Sequence, residues 1–258
     1  MTAAMATPHP DDELVPVPRP GEVTLGAPAP WEALPTVHRV GLTLAHVLSA
    51  LERAGHRGPA PAFEPPLAAG RGAGGPPPGE RASASAVLVA LFEEAGETRV
   101  VLTRRSASLR SHRGQVSFPG GRVDPGEDAP AAARREAFEE VGLRPGEVEV
   151  VGWLHPLFTL TASSFITPVV GVLPGRPTLV PNPAEVARAF DVALADLVAD
   201  GVFHEERWTQ LAGQPLPGPD PRRAVWFFEV DGETVWGATA RLLVQLLSLV
   251  LELPFEPA

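Results

Sequence analysis

The amino-acid sequence predicts an α/β fold, a mixed β-sheet layered between helices. Two observations lead to it: short apolar runs of strand type recur along the chain with turn residues between them, and they alternate irregularly with helical segments. A third sets the scale, since 258 residues of which 44% are hydrophobic suffice for one sizeable core.

The first segment, residues 1–34, is rich in Pro, Asp and Glu and shows no apolar period, the composition of a poorly ordered arm without chemistry of its own. From Thr36, read as an N-cap, Val40, Leu44, Val47, Leu48 and Leu51 recur at helical spacing until Gly55, which gives one amphipathic helix within residues 35–56. Residues 57–85 carry Pro76-Pro77-Pro78 and several Gly and read as a linker. A catalytic domain is expected over residues 86–258. It opens with the strands Ala86–Phe92 and Arg99–Leu102 around a turn at Ala95-Gly96. A helix from Asp128 to Val141 follows a Gly-rich turn, and Val148–Leu154 and Ile166–Leu173 read as further strands. Glu185–Val198 is expected to be helical, Arg223–Val230 a strand, and Ala238–Leu251 the closing helix. The apolar face Leu242–Leu251 packs into the chain's own core by default, with a homodimer interface as the alternative.

Composition narrows the chemistry. A formal charge of -10 argues against general nucleic-acid binding, because phosphate backbones are held by surplus basic side chains. The chain has no Cys, Lys or Tyr, which removes thiolate, Schiff-base and phenolic catalysis and leaves carboxylates, His and Arg. No basic segment followed by an apolar stretch opens the sequence, and the longest apolar run is interrupted by Gln245 and Ser248, short of the ~20 residues of a membrane helix. A soluble cytoplasmic protein is the expectation.

The informative segment runs from Gly120 to Leu143. At about 100° per residue, Glu136, Glu139 and Glu140 stand at i, i+3 and i+4 and share one helix face. Ala133, Ala137 and Val141 form a neighbouring apolar stripe that suits packing on a sheet, and Gly142 stands where helices commonly end. Three carboxylates so close repel one another unless a cation sits between them, and an all-oxygen cluster suits Mg²⁺ or Mn²⁺. Taken alone, such a triad is more often a solvated helix face. Immediately before it, Val101–Arg122 holds five Arg, one His and no acid, a local positive field suited to phosphate. Arginine-rich surface strands without a ligand are equally common.

The spacing Gly121-x5-Glu127-x7-Arg135-Glu136-Ala137-x-Glu139-Glu140-x-Gly142-Leu143 resembles the signature of the Nudix hydrolases over 23 consecutive positions. Ala137 departs from the pattern, which has a larger aliphatic residue there; that bears on packing and leaves every charged position intact. A narrower signature is carried by Leu102, Thr103, Arg105, Ser106, Arg110, Gly114, Phe118, Pro119, Gly120 and Gly121, with Val101 replacing a Leu. It is similar to that of the coenzyme A pyrophosphatase subfamily. Looser likeness extends to Asn182–Val186 and Trp236–Arg241.

The resemblance implies a Nudix fold, an α/β/α sandwich, and hydrolysis of coenzyme A or a derivative to 3′,5′-ADP and 4′-phosphopantetheine or its acyl form, with Mg²⁺ or Mn²⁺ as cofactor. Other Nudix substrates, such as ADP-ribose, a dinucleotide or a nucleoside triphosphate, are the first rival, and a non-catalytic nucleotide-binding module the second. By the same resemblance Glu136 and Glu140 are principal metal ligands, Glu139 a further ligand or base, and the Gly120 carbonyl an additional ligand. Glu127 and Arg135 pair and hold the loop against the helix. Arg105, Arg110 and Arg113 are the candidates for substrate phosphate, because coenzyme A carries a 3′-phosphate besides its diphosphate. His112 reads either as a titrating assistant or, more commonly for a lone loop His, as a surface hydrogen-bonding residue. Glu185 reads either as a first-turn acid favoured by a helix dipole or as an outer catalytic carboxylate.

Overall fold

The computed structural model describes residues 15–58, 81–109, 111–161, 163–216 and 222–255. The chain opens with β1 (Thr24–Leu25), a 3₁₀ turn at Thr36–His38 and helix α1 (Leu44–Arg53). Strands β2 (Ser83–Glu94), β3 (Glu97–Arg105), β4 (Val116–Ser117) and β5 (Gly120–Arg122) follow and lead into helix α2 (Ala129–Val141). Next come β6 (Glu149–Trp153), β7 (Leu157–Phe158), β8 (Ser164–Val172), β9 (Val186–Ala193) and the single turn α3 (Leu194–Leu197). The last part holds β10 (Phe203–Trp208), the small ribbon β11 (Gln210–Leu211) and β12 (Gln214–Pro215), β13 (Arg223–Val230), β14 (Glu233–Trp236) and helix α4 (Gly237–Val250).

The main sheet has the order β4-β3-β2-β8-β6, with β5 and β7 added to β2 and β8, and β9 paired with β3. It is mixed, since β2 and β8 run parallel and the other pairs antiparallel. Strand β2 explains the sequence run Ala86–Phe92. A strand covered on both faces has no reason to alternate with polar residues. Ala86, Leu88, Ala90 and Phe92 face α2, through Ala132, Ala133, Ala137 and Val141. Val89 and Leu91 face α1 and α4, through Val47, Leu51, Leu243 and Leu247. Helices therefore cover both faces, the α/β/α layering that the sequence predicts. Ala137 is fully buried against the sheet, so its small side chain sets how closely α2 approaches.

Two signals fix α2. The Asp128 carboxylate accepts from the Ala131 N–H at 2.8 Å, and Gly142 takes the left-handed φ of 75° that ends the helix. A second, four-stranded sheet, β1-β10-β13-β14, leads into α4. It is tied to the main sheet by the buried pair Arg104 to Glu233 at 3.0 Å, which Arg188 joins at 2.9 Å. The apolar face Leu242–Leu247 of α4 is spent inside this core.

Several expectations are corrected. Residues 15–34 are no loose arm: Trp31 is 1% exposed and stacks on Phe228, β1 pairs with β10, and Arg19 bonds Glu206 at 2.9 Å. Such a segment is held by isolated anchors, which leave no periodicity to read. The helix expected from Thr36 begins only at Leu44, because Gly41 breaks the chain at φ 63° and Thr43 with His46 forms a capping box. The expected boundary at Ala86 falls at Ser83, and α1 shares the core instead of standing apart. Segment Glu185–Val198 is not a helix but strand β9 followed by α3. Pairing along β3 outweighs the helix propensity of its Ala, Glu and Arg residues. Residues 1–14 and most of the expected linker, 59–80, lie outside the described residues.

Candidate active site

The site begins where β5 crosses β2. Gly120 lies so close to β2 that a Cβ there would stand 2.4 Å from the Ala86 carbonyl oxygen. A Cβ on Gly121 would stand 2.4 Å from the Glu136 carboxyl carbon. The Gly120-Gly121 pair, bare of side chains, is what admits the carboxylates of α2 at this edge. The Gly120 N–H donates to Glu140 at 3.1 Å, and Arg105, at the end of β3, donates to the other oxygen at 3.3 Å.

Glu140 is 1% exposed. Burial pushes its carboxyl up to about 7, the Gly120 N–H and Arg105 offset part of this, and the charges of Glu136 and Glu185 add to it. Burial likewise raises Glu136 against the pull of Arg135, with Glu139 and Glu185 adding to the rise. Arg135 is the hub of the outer face. It grips both oxygens of Glu127 at 3.0 and 2.9 Å, and donates to Glu136 at 3.0 Å, Glu139 at 3.2 Å and the Arg122 carbonyl at 3.0 Å. Its hydrogen bond holds Glu127 below the usual carboxylate range.

Among the described residues no three His, Asp or Glu side chains converge as a ready ligand set. Glu136 and Glu139 instead share the Arg135 guanidinium, and Glu140 is met by Arg105. The fit to a hard divalent cation rests on donor chemistry. Three carboxylates and the adjoining Gly120 backbone offer oxygen alone, and two of the carboxyls are raised, at a cost that a cation would relieve.

A cleft of about 320 Å³ opens on the other side of the glycine strand. Gly120 and Gly121 form one end, beside Arg105, Phe118 and Arg122; the first turn of α4 forms another wall. Among the described residues none that lines it is Asp or Glu, in a chain of net charge -10.

The region from Ala82 to Ala212 matches the NUDIX domain. The Nudix hydrolase NudL of Photorhabdus laumondii subsp. laumondii is 38% identical over 180 residues, covering 68% of this chain and 91% of its own. The chain belongs to the Nudix hydrolase family. Nudix hydrolase 3 of Caenorhabditis elegans is 42% identical over 177 residues, 65% of this chain and 73% of its own. A solved MutT/nudix family protein of Enterococcus faecalis aligns over 84% of this chain and 73% of its own at 15% identity, with a TM-score of 0.46. Nudix hydrolases in general use divalent cations such as Mg²⁺ or Mn²⁺. Among the described residues no helix is long and apolar enough to cross a membrane.

Within this Nudix frame the arginines named from sequence separate. Arg105 reaches both Glu140 and the cleft, and its Nε is buried without a partner. Arg113 is exposed and not among the residues lining the cleft, and Arg110 lies outside the described residues. Arg104, counted in the positive field, is buried against Glu233. His112 lines the cleft from a left-handed turn, φ 57°, and its Nδ1 meets Gln115 at 2.8 Å.

Glu185 is the residue whose commoner reading fails. It precedes a strand, so no helix dipole favours it. The Asn182 side chain accepts from Ala184, the Asn182 carbonyl accepts from the Glu185 N–H at 3.0 Å, and Ser106 N–H bonds the Glu185 carbonyl at 2.8 Å. That turn sets Glu185 next to Arg105 in the sheet and within the field of Glu136 and Glu140. The start of α4, Trp236–Arg241, was marked in sequence only by its looser likeness, and its place as a wall of the cleft needed the fold.

Proposed function

We propose that the chain is a metal-dependent pyrophosphatase that hydrolyses the diphosphate of coenzyme A or a derivative to 3′,5′-ADP and 4′-phosphopantetheine or its acyl form. The observation that carries the reading is a cleft, without an acid among its described lining residues, that meets the glutamate helix across Gly120-Gly121. Residues of the narrower signature, Arg105, Phe118, Gly120 and Gly121, line it. A substrate with several phosphates needs cationic and N–H donors on one side and a cation site on the other, and the two meet at this strand.

Glu136 and Glu140 are the residues to hold Mg²⁺ or Mn²⁺, with Glu139 a further ligand or base and the Gly120 carbonyl in support. Bound there, such an ion supplies a Lewis acid and a water acidic enough to attack phosphorus near neutral pH. Glu127 and Arg135 hold the loop and fan the carboxylates from behind. Arg105 holds Glu140 with one nitrogen and brings its guanidinium to the edge of the cleft. Arg110 and Arg113 are proposed as outer phosphate contacts. Glu185 is proposed to hold or take a proton at the edge of the carboxylate cluster.

The test is a panel of coenzyme A, dephospho-coenzyme A, ADP-ribose, a dinucleoside polyphosphate and a nucleoside triphosphate, assayed with Mg²⁺ and with Mn²⁺. The highest kcat/KM is expected for coenzyme A, with 3′,5′-ADP among the products. A higher value for ADP-ribose or a dinucleotide overturns the substrate, and no turnover of any member overturns catalysis in favour of a binding module.

A further inference from the structure

We propose that the N-terminus of α4, with Thr239, forms a second anion subsite that takes a phosphomonoester lying apart from the scissile diphosphate. The inference rests on the pyrophosphatase reading and names which part of the substrate the far wall of the cleft holds.

A 14-residue helix leaves the N–H groups of its first turn without intrahelical acceptors, and a partial positive charge gathers there. Side chains usually satisfy them. On α2 Asp128 does so, whereas the N-cap of α4 is Trp236, whose indole has no acceptor to offer, and no side-chain cap is formed. An uncapped helix end is unremarkable when it faces bulk water. This one, Trp236 to Thr239, lines the cleft.

Thr239 is the independent observation. It is 8% exposed, it lines the same cleft, and its hydroxyl has no hydrogen-bond partner among the described residues. A hydroxyl on a residue this enclosed, open only to the cleft and without a partner among the described residues, beside the first-turn N–H groups, is a set of donors arranged for oxygen atoms of a ligand. The sign of that ligand follows from the described lining residues, which include Arg105 and Arg122 and no carboxylate. Several donors on one side suit the three oxygens of a phosphomonoester.

The frame holding this wall is stiff. β14 runs directly into α4 and is fastened to the main sheet by Glu233, which both Arg104 and Arg188 grip. The helix end is thereby fixed relative to β4, β5 and the glycine edge where the diphosphate is proposed to lie.

Two substitutions and two substrates test the subsite. Thr239→Val removes the hydroxyl at equal volume, and Ala238→Asp puts a carboxylate where an anion is proposed to bind. An acid in the first turn suits the helix dipole, but Ala238 is partly buried against the core, so a thermal melt of the second variant is read beside its kinetics. The readout is the ratio of kcat/KM for coenzyme A to that for dephospho-coenzyme A, which lacks the phosphomonoester. Thr239→Val is expected to lower the ratio about tenfold and Ala238→Asp about a hundredfold. An unchanged ratio in both, whether or not overall rates fall, overturns the proposal.

Amide chemical shifts of the full chain titrated with inorganic phosphate provide an arm that does not depend on turnover. Shifts at Gly237–Thr239 that are lost in Ala238→Asp are expected. Their absence overturns the subsite even if coenzyme A is a good substrate. Their presence in a protein that does not hydrolyse coenzyme A keeps the subsite and overturns only the substrate assignment.

Discussion

Helices α2 and α4 cover opposite faces of one sheet and are built by opposite means. α2 is capped by Asp128, closed by Gly142, and buries mostly alanines, Val141 and Glu140, so the rest of its surface is free to carry Glu136, Glu139 and Arg135. α4 has no side-chain cap, is apolar on most sides, and buries Leu242, Leu243, Leu246 and Leu247 in the core. The first spends its sequence on chemistry and takes stability from caps. The second spends its sequence on stability and leaves only its N-terminus to the cleft. Side-chain chemistry at fixed spacing can be read from a sequence; a wall made of backbone cannot.

The largest expected effect falls on the α2 side. Glu136→Gln and Glu140→Gln each preserve volume while removing a charge proposed to meet the cation, so each should lower kcat by roughly a thousandfold in a folded protein, the equivalent of several kcal/mol at the transition state. Steady-state rates with saturating Mg²⁺ check this, and near-normal rates would move the ligands elsewhere.

Next in size is a stability effect with a definite sign. In the fold the Glu140 carboxyl titrates at about 7, above its ordinary 4.5, because burial favours the protonated form. Its favourable contribution is therefore complete below pH 4.5 and is lost as pH rises through 7, a swing of about 3 kcal/mol in chelator. Denaturant unfolding of the wild type and Glu140→Gln across this window measures it. The variant should lose the pH dependence that Glu140 contributes, and parallel curves would refute the assignment.

Gly121→Ala is expected to cost roughly a hundredfold in kcat/KM, since the added Cβ drives the Glu136 carboxylate from its place, and a displacement of ~1 Å can cost that much. Gly126→Ala, where a Cβ meets nothing, serves as the comparison, although its φ of 85° adds backbone strain that should appear in melting temperature and not in rate. The smallest effect is at the cap. Asp128→Ala should destabilise the fold by about 1 kcal/mol with little change in rate per folded molecule. Thermal melts paired with active-site titration separate the two.

The sequence made α2, its cap and its stop readable, because each is a local rule obeyed by adjacent residues. It also made β13 readable at both ends, Arg223 and Val230. Strand β9 was not, since Glu185–Val198 has the composition of a helix and becomes a strand only through its pairing with β3. The N-terminal residues were not either. Their single strong clue was Trp31, an aromatic in a Pro-rich run that proves to be fully enclosed with Phe203 and Phe228. In the site, the glutamates were legible from spacing, whereas the place of Glu185 needed the Asn182 turn, and the sorting of Arg104 from Arg105 needed the sheet. Neighbouring residues on a strand point to opposite faces, so one arginine entered an ion pair in the core and the other met the carboxylates.

Everything proposed for the site turns on the α2 carboxylates holding the divalent cation on which hydrolysis depends. Mn²⁺ binding followed by electron paramagnetic resonance, in the wild type, Glu140→Gln and the double variant Glu136→Gln/Glu140→Gln, tests it without relying on any substrate. Binding should weaken at least about tenfold in the single variant and be lost in the double. Undiminished Mn²⁺ binding in the folded double variant would contradict the account.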